Sequence, residues 1–387
     1  MTHTLLKYEP TPQAMHETNT SVSLTWDLGR LRDALQDIYG DGDPGSVFLA
    51  YEWLEAAERW KKLEGNVGLL VVNSGARVVG VAPLAQVHAV YRGIAYRELQ
   101  FLCIPDTQLC DIICANHMRT EALDAMASFL SRDYRDWDLL RLQNLPEESA
   151  TPDILTAALA RHRLRSSKEE CARNYGLSLR GDWQSYYGRR SRRLKKGNNL
   201  IANRLKKNYS SVQVLHQHHE LAQPRQLQGV LDAIEEVSHS SWKSSTGLTL
   251  ENPGPSDFVR TLSEHAAKRG WLTIWQLVLD GEPVAFEYQL VYQGRVHALR
   301  ADYRSDCEQY SPGSYLNWQI LQALFSQDLE HYCMGPGSNA YKQRWSECEE
   351  PLLEFKAYAK SLKGRLLYVL REQLARWAKP DTRENTD

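Results

Sequence analysis

Alternation between apolar and polar positions divides the first part of the chain into strands and amphipathic helices. Two runs rich in β-branched residues within 67–90 lie on either side of Asn73-Ser74-Gly75 and predict a β-hairpin. Further apolar runs predict strands at 96–104, 110–114 and 137–145. Apolar residues at helical spacing predict helices at 43–60, 118–133 and 150–164. Strands interspersed with helices indicate a mixed-sheet α/β or α+β fold.

The same kind of pattern restarts after about residue 170. Predicted strands are 174–179, 210–218, three within 270–303 that turn at Asp280-Gly281 and Gln293-Gly294, 330–338 and 352–359. Predicted helices are 224–241 and 361–378. A chain of 387 residues exceeds one typical core. We therefore expect two tandem modules, residues 20–168 and 169–378, divided near 165–172, each with its own sheet and sharing one extended interface.

The stretch YSPGSYLNWQILQALF, residues 310–325, predicts a helix with an unusual first turn. Ser311 is a typical N-cap, and Pro312 suits the first helical position. Gly313 lowers helix propensity there, so it indicates either close packing or the approach of a ligand that leaves no room for a Cβ. Because a helix N-terminus offers unpaired amides and a positive dipole end, the natural ligand is an anion such as a pyrophosphate.

Composition is that of an ordinary globular protein, with 42% hydrophobic and 24% charged residues. The N-terminal residues lack the apolar core of a signal peptide, and no apolar run approaches the ~20 residues of a membrane span. The seven cysteines include no C-x-x-C pair, which argues against a disulfide framework or a zinc knuckle. We therefore expect a cytoplasmic protein without a metal site.

A basic segment stands out in a chain of 46 bases and 48 acids. Between Arg189 and Lys207 lie nine Lys/Arg and no acid, so the remainder of the chain is acidic. These cations belong to a basic segment, residues 183–208, with apolar residues at near-helical spacing, namely Trp183, Tyr187, Leu194, Ile201 and Leu205. The segment is either a solvated helix docked on the second module or a surface for an anion. Gly197-Asn198-Asn199 predicts a weak point in the helix.

Four motifs in fixed order carry a family resemblance: SSWKSSTGL (240–248), LDGEPVAFEYQLVYQGRVHALRADY (279–303), YSPGSYLNW (310–318) and GPGSNAYKQRW (335–345). Together they resemble the CelD-type acetyltransferases, which belong with FemAB-like proteins to the GNAT superfamily of N-acyltransferases. The resemblance covers roughly residues 45–360. One departure concerns the strand before the last motif, where family members typically carry an acid and an aromatic residue and this chain has Cys333 and Met334.

The resemblance implies two tandem GNAT-like modules with a splayed mixed sheet. It implies that Val296–Tyr303 is the central strand leading into the Ser-Pro-Gly helix. The cofactor-binding residues expected for the pyrophosphate of an acyl-CoA donor are Ser311, Gly313, Ser314, Tyr315 and Lys342. The implied reaction is transfer of an acyl group to an amine, such as an amino sugar or a cell-envelope or exopolysaccharide precursor.

The candidate catalytic residues are Glu287, Asp302 and Tyr303, with Tyr310 and Tyr341 as further hydroxyls able to protonate a leaving thiolate. Each carboxylate has a structural alternative, since Arg300 and Asp302 share one strand face and are expected to form an ion pair. The candidate substrate-binding residues are Trp242, Lys243 and Tyr341. The HQHH cluster at 216–219 has no cysteine or carboxylate at ligand spacing, which favours a surface cluster over a metal site.

Two other functions stay open. The chain is an N-acyltransferase, a non-catalytic binding module with a degenerate acyltransferase fold, or an aminoacyl-tRNA-dependent FemAB-like transferase. The acidic remainder of the chain disfavours nucleic acid as a partner. The expected partners are a small-molecule or glycan-precursor amine and membrane-bound glycan-synthesis machinery.

Overall fold

Thirteen β-strands lie in the part of the chain that the computed structural model describes, residues 20–40, 42–241, 243 and 246–374. In chain order they are β1 (Thr20–Thr25), β2 (Gly65–Ser74), β3 (Arg77–Tyr91), β4 (Ile94–Phe101), β5 (Ile113–Cys114), β6 (Leu139–Pro146), β7 (Arg165–Ser178), β8 (Val212–Gln217), β9 (Leu272–Leu279), β10 (Glu282–Tyr292), β11 (Arg295–Tyr303), β12 (His331–Pro336) and β13 (Cys348–Tyr358). The predicted hairpin is formed by β2 and β3, and the turns at Asp280-Gly281 and Gln293-Gly294 join β9, β10 and β11 as expected.

The helices lie on both faces of these strands. They are α1 (Leu31–Tyr39), α2 (Tyr51–Lys61), α3 (Arg119–Arg132), α4 (Thr151–Arg161), α5 (Trp183–Gly188), α6 (Arg192–Asn208), α7 (Pro224–His239), α8 (Pro253–Lys268), α9 (Pro312–Leu324), α10 (Ala340–Trp345) and α11 (Leu362–Tyr368). Shorter 3₁₀ turns occupy Val47–Leu49, Asn116–Met118, His219–Ala222 and Ser305–Tyr310, and a π-helical turn follows α11 at Val369–Gln373. Among the described residues, no helix has both the length and the apolar content needed to cross a bilayer.

The strands of both halves form one continuous sheet in the order β1-β2-β3-β4-β6-β13-β7-β12-β11-β10-β9-β8, with β5 paired to β3. The expected mixed α/β fold is confirmed, but the expectation of a separate sheet in each module is wrong. The reason is that β13, near the end of the chain, lies between β6 of the first half and β7, the strand that spans the proposed division. The proposed division at residues 168 and 169 falls inside β7 and stays a prediction.

Two strand pairs in this otherwise antiparallel sheet are parallel, one in each half. In the second half β11 and β12 pair only at Arg295–His331, Val296–Tyr332 and His297–Cys333. Beyond these positions β11 pairs with β10 alone and β12 pairs with β7 alone. The two strands therefore splay apart and leave a gap between residues 298–302 and 334–336.

A side chain from the first half is inserted where this gap begins. Gln108 is buried, and its Nε2 donates to the carbonyl of Ala298 at 2.8 Å. Its Oε1 lies 3.3 Å from Nδ1 of His297, whose pKa burial lowers to about 3, so the neutral ring is the donor. Gly335 on the opposite strand has a φ of 77°, and a Cβ there would lie 2.9 Å from Gln108 Nε2, so both backbone conformation and space favour glycine. Gln108 thus satisfies a β11 carbonyl that has no strand partner.

A shared hydrophobic core also joins the halves. The ring of Trp53 in α2 meets Phe258 in α8 edge-on at a centroid distance of 5.2 Å. Gly254 at the start of α8 lies so close to the indole of Trp60 that a Cβ there would be 2.4 Å from its Cδ1. These contacts belong to one buried cluster drawn from α1, α2, α7, α8 and the strands beneath them.

Several local expectations are wrong. Ser311 occupies the N-cap position of α9 but has left-handed dihedrals (φ 54°, ψ 50°) and makes no side-chain cap bond. The break in the basic segment lies between α5 and α6, at 189–191, whereas Gly197-Asn198-Asn199 continues α6. Helix α8 and the first half of β7 were not expected. The predicted terminal helix is described only as far as residue 374.

We expect Gln108→Leu to destabilise the protein by about 1–3 kcal/mol, because it leaves the half-buried Ala298 carbonyl without its donor. Urea unfolding followed by tryptophan fluorescence measures the midpoint. The control is Gln184→Leu at an exposed position of α5, which should change stability by less than about 0.5 kcal/mol. Equal midpoints for Gln108→Leu and wild type would contradict a structural role for this side chain.

Candidate functional site

A cavity of about 430 Å³ fills the gap between the splayed strands. Its walls come from β10, β11, the first turn of α9, the end of β12 and the start of α10. The candidate residues that line it are Lys243, Glu287, Asp302, Tyr303, Gly313, Ser314, Tyr341 and Lys342. Ser311, Tyr315 and Tyr310 are not in its lining, and Trp242 lies outside the described residues. The tertiary structure therefore brings together most of the residues singled out in sequence, which lie between 243 and 342.

The first turn of α9 presents two backbone amides beside this cavity. Among the described residues no acceptor is recorded for the amides of Gly313 and Ser314, the second and third residues of the helix. The expectation for Tyr315 is wrong, because its amide donates to the carbonyl of Ser311 at 3.2 Å. The two remaining amides, those of Gly313 and Ser314, are suited to bind an anion at the helix N-terminus.

Gly313 also has a packing role. A Cβ at this position would lie 3.2 Å from Cδ1 of Tyr303, tighter than an ordinary van der Waals contact. The packing interpretation of this glycine therefore holds, while the ligand interpretation stays a prediction. The two interpretations are compatible, since both concern the cavity-facing side of the same turn.

Glu287 is a deeply buried carboxylate in the cavity wall. Burial raises its pKa, while hydrogen bonds from Tyr332, Gln289 and Asn317 oppose that rise. Its Oε1 accepts from Tyr332 at 2.5 Å and from Gln289 Nε2 at 2.7 Å, and Oε2 accepts from Asn317 Nδ2 at 3.4 Å. Trp275 Nε1 fixes the Gln289 amide with a bond of 3.1 Å to Oε1. A carboxylate held in this way retains a proton to higher pH than a solvated glutamate.

Asn317 on α9 connects this carboxylate to two tyrosines. Its Nδ2 donates to the hydroxyls of Tyr332, at 3.3 Å, and Tyr341. Burial raises the pKa of both tyrosines well above the usual value, so both hydroxyls stay protonated. The Oδ1 atom of Asn317 is buried without a partner among the described residues, and Asn317 lines the cavity. The cavity wall thus offers one unused acceptor.

Asp302 does not pair with Arg300, contrary to expectation. Asp302 Oδ1 lies 2.6 Å from Lys243 Nζ, and Oδ2 accepts from Ser238 Oγ at 3.0 Å. Arg300 instead bonds Asp106 of the first half at 2.5 Å and the carbonyl of Leu248 at 2.8 Å. The i, i+2 spacing places both side chains on one strand face, but their partners come from distant segments.

Lys342 closes the other side of the splay. Its Nζ donates to the carbonyls of Gly335 at 3.0 Å and Pro336 at 2.6 Å, at the end of β12. Burial lowers its pKa to about 8. An ammonium that donates hydrogen bonds to two backbone carbonyls retains one N–H donor for a ligand.

The unexpected residues Cys333 and Met334 occupy different environments. Met334 is the extra residue of a β-bulge in β12 and lines the cavity. Cys333 is buried, with its sulfur 3.6 Å from Arg295 Nη2, and burial raises its thiol pKa to about 11. Neither supplies a carboxylate, and the carboxylates that line the cavity are Glu287 of β10 and Asp302 of β11.

The basic segment lies against α9. Leu205 is fully buried, and Trp183, Tyr187, Leu194 and Ile201 pack on the same cluster, so docking on the second half is confirmed. Arg189 and Arg190 pair with Glu347, while the other seven cations have no ion pair among the described residues. Arg204 donates to the carbonyl of Gln309, just before α9.

The HQHH cluster is used structurally. His216 stacks on Trp275 at 3.9 Å and bonds Thr273, and His218 Nδ1 bonds the carbonyl of Leu272 at 2.7 Å. Within 20–40, 42–241, 243 and 246–374, no group of three or more His, Cys, Asp or Glu side chains is placed to hold a metal ion.

Sequence reasoning missed three residues of the site and its frame: Gln108, Asn317 and Tyr332. Asn317 and Tyr332 carried a weak signal, since each is polar at a position where the pattern predicts a buried face. Gln108 carried none, because it reaches the gap from the other half of the chain.

Part of the chain matches a known family. Residues 201–343 match the family described as "Acetyltransferase (GNAT) domain". This segment is a GNAT acetyltransferase domain. The expected GNAT resemblance is therefore confirmed, and the domain is of the acyltransferase class. The finer CelD-type assignment and the cytoplasmic location stay predictions.

Solved structures share the fold across nearly the whole chain. One described as "Crystal structure of FemX" has a TM-score of 0.52 at 10% identity and covers 91% of this chain and 100% of its own. A conserved protein of unknown function from Bacteroides thetaiotaomicron VPI-5482 has a TM-score of 0.53 at 10% identity, covering 88% and 100%. At such identities the likeness concerns the fold alone. No curated protein sequence matches significantly.

We expect the stability of the GNAT domain to depend on pH through Glu287. Because its folded pKa is raised, the folded state binds the proton more tightly than the unfolded state, so stability falls as pH rises through the folded pKa. Glu287→Gln removes this dependence. Chemical unfolding from pH 4 to pH 8 should show the variant gaining stability relative to wild type with rising pH. A constant difference across that range would contradict the raised pKa.

Proposed function

We propose that the chain transfers an acyl group from an acyl-CoA thioester to an amine within the cavity between β11 and β12. The observation that carries the proposal is the splay itself, which leaves a cavity bordered by a helix N-terminus on one side and a buried carboxylate on the other. The GNAT family match supports the reaction class. The acceptor that we favour is an amino sugar or a related glycan or cell-envelope precursor.

The donor is proposed to bind at the first turn of α9. The amides of Gly313 and Ser314 and the positive end of the helix dipole suit its pyrophosphate. The third proton of Lys342 is available for a phosphate or for the pantetheine chain. Gly313 keeps the backbone accessible, because any larger residue would add bulk between the amides and the cavity.

The acceptor amine is proposed to enter beside Glu287. The carboxylate takes a proton from the incoming ammonium, the free amine attacks the thioester carbonyl, a C–N bond forms and the C–S bond breaks, and the second proton lost by the nitrogen passes to the leaving thiolate. Asn317 Oδ1, the unused acceptor, would hold a second N–H of the amine. The ion pair of Asp302 with Lys243 is proposed to give Asp302 a positioning role for that lysine.

The leaving thiolate is proposed to be stabilised by Tyr303. This tyrosine lines the cavity beside Gly313, and burial raises its pKa, so its hydroxyl stays protonated at neutral pH. A hydrogen bond from a neutral phenol stabilises the negative charge that develops on sulfur. Tyr341 lies beside Asn317 on the acceptor side and is proposed to contact the substrate.

One observation favours a second candidate function. The seven α6 cations without an ion pair lie on the helix that packs against α9, close to the proposed donor site. A surface of this charge suits a polyanionic donor such as an aminoacyl-tRNA. For either donor, we propose that the protein associates with membrane-bound glycan-synthesis machinery.

Calorimetric titration with coenzyme A separates the two interpretations of Gly313. We expect wild type and Tyr303→Ala to bind, and both Gly313→Val and the double variant Gly313→Val/Tyr303→Ala to bind at least tenfold more weakly. The double variant removes the ring that a branched side chain would strike. If the double variant binds coenzyme A as well as Tyr303→Ala does, Gly313 serves packing only. If wild type binds charged tRNA but not coenzyme A, the assignment of acyl-CoA as the donor is wrong.

Thiol release from acyl-CoA in the presence of an amino-sugar panel measures the reaction. We expect turnover by wild type that rises with pH as Glu287 ionises, and a loss of about 10²–10⁴-fold in kcat for Glu287→Gln. Glu282→Gln, at an exposed position of the same strand, is the matched control and should retain wild-type kcat. Absence of turnover with every donor and acceptor would favour the binding module.

A further inference from the structure

The helix near the end of the described chain presents leucines to solvent. Leu362 and Leu366 of α11 are 85% and 45% exposed and lie one turn apart on the same face. The opposite face carries Leu367, which is fully buried with Tyr96 and Tyr358. The helix therefore has one apolar face for the core and a second apolar face for which the described residues provide no cover.

Positive charge also lies beside α11. A cavity of about 400 Å³ beside α11 is lined by Arg163, Arg165, Lys360 and Arg365 together with Tyr358, Ala359 and Tyr368. None of its four cations forms an ion pair within the described part of the chain, and its lining includes no carboxylate. The Arg165 guanidinium lies 4.7 Å above the ring of Tyr368, which holds it at the surface.

We propose that this face, the Leu362 surface (Arg163, Arg165, Lys360, Leu362, Arg365 and Leu366), docks on a bilayer that contains anionic phospholipids. An interfacial helix buries leucines at the boundary between headgroups and acyl chains, and flanking cations bind the headgroup phosphates. Helix α11 supplies the two leucines and Arg365, and the chain beside it supplies Arg163, Arg165 and Lys360.

Charge decides against a second copy of the chain as the occupant. A two-fold contact through this face would bring two sets of four unpaired cations together, and like charges across an interface are unfavourable. An anionic bilayer supplies the complementary charge and an apolar layer at once. The proposal is independent of the acyl-transfer reaction, because the Leu362 surface shares no residue with the cavity between β11 and β12.

Cosedimentation with lipid vesicles tests the proposal. The full chain should bind phosphatidylcholine vesicles containing 30% phosphatidylglycerol and bind pure phosphatidylcholine vesicles far more weakly. Leu362→Ser/Leu366→Ser should lower the partition coefficient by about tenfold. Arg163→Gln/Arg165→Gln should lower it by about 25-fold at low salt, or about fivefold for each cation removed. All four positions are exposed, so thermal unfolding should be unchanged.

The matched control is Leu200→Ser on α6, a leucine that is 55% exposed on the other basic helix. It should bind vesicles like wild type, and soluble glycerol phosphate at millimolar concentration should not displace the protein. The proposal is overturned if wild type does not bind the anionic vesicles, or if Leu200→Ser weakens binding as much as the α11 pair. It is also overturned if light scattering shows that wild type is a dimer and that Leu362→Ser/Leu366→Ser is a monomer.

Discussion

The separation of β11 from β12 is the constraint on which the rest of the second half depends. Two strands can part only if their backbone groups find other partners, because unpaired buried carbonyls are costly. Gln108 from the first half satisfies Ala298 on one side of the gap, and Lys342 satisfies Gly335 and Pro336 on the other. The outer edges are secured by β10 and β7. The cavity is thus held open by hydrogen bonds.

The single sheet depends on β13. Strand β12 pairs with β7 along the edge away from the gap, and β7 in turn pairs with β13. Strand β13 also pairs with β6 of the first half, so the sheet continues across the junction between the halves. The ion pair between Arg300 and Asp106 crosses the same junction.

The chemistry of the cavity follows from burial. Glu287 lies on a strand that is buried along most of its length, so its carboxylate is desolvated and its pKa raised. Neutral donors from Tyr332, Gln289 and Asn317 hold it without neutralising it. Asp302, by contrast, faces a lysine. Two carboxylates on neighbouring strands thus have different environments, which separates a candidate base from a positioning group.

Local sequence determined the hairpins, the apolar stripe of α9 and the α6 stripe that docks on the second half, because these depend on turn residues and on periodicity within one segment. Motif order identified the GNAT class and most of the cavity residues. Only the tertiary structure decided the single sheet, the partners of Asp302 and Arg300, and the entry of Gln108 into the splay. Each of these depends on residues far apart in the chain, and periodicity within one segment carries no information about which distant strand or side chain will satisfy a given backbone group.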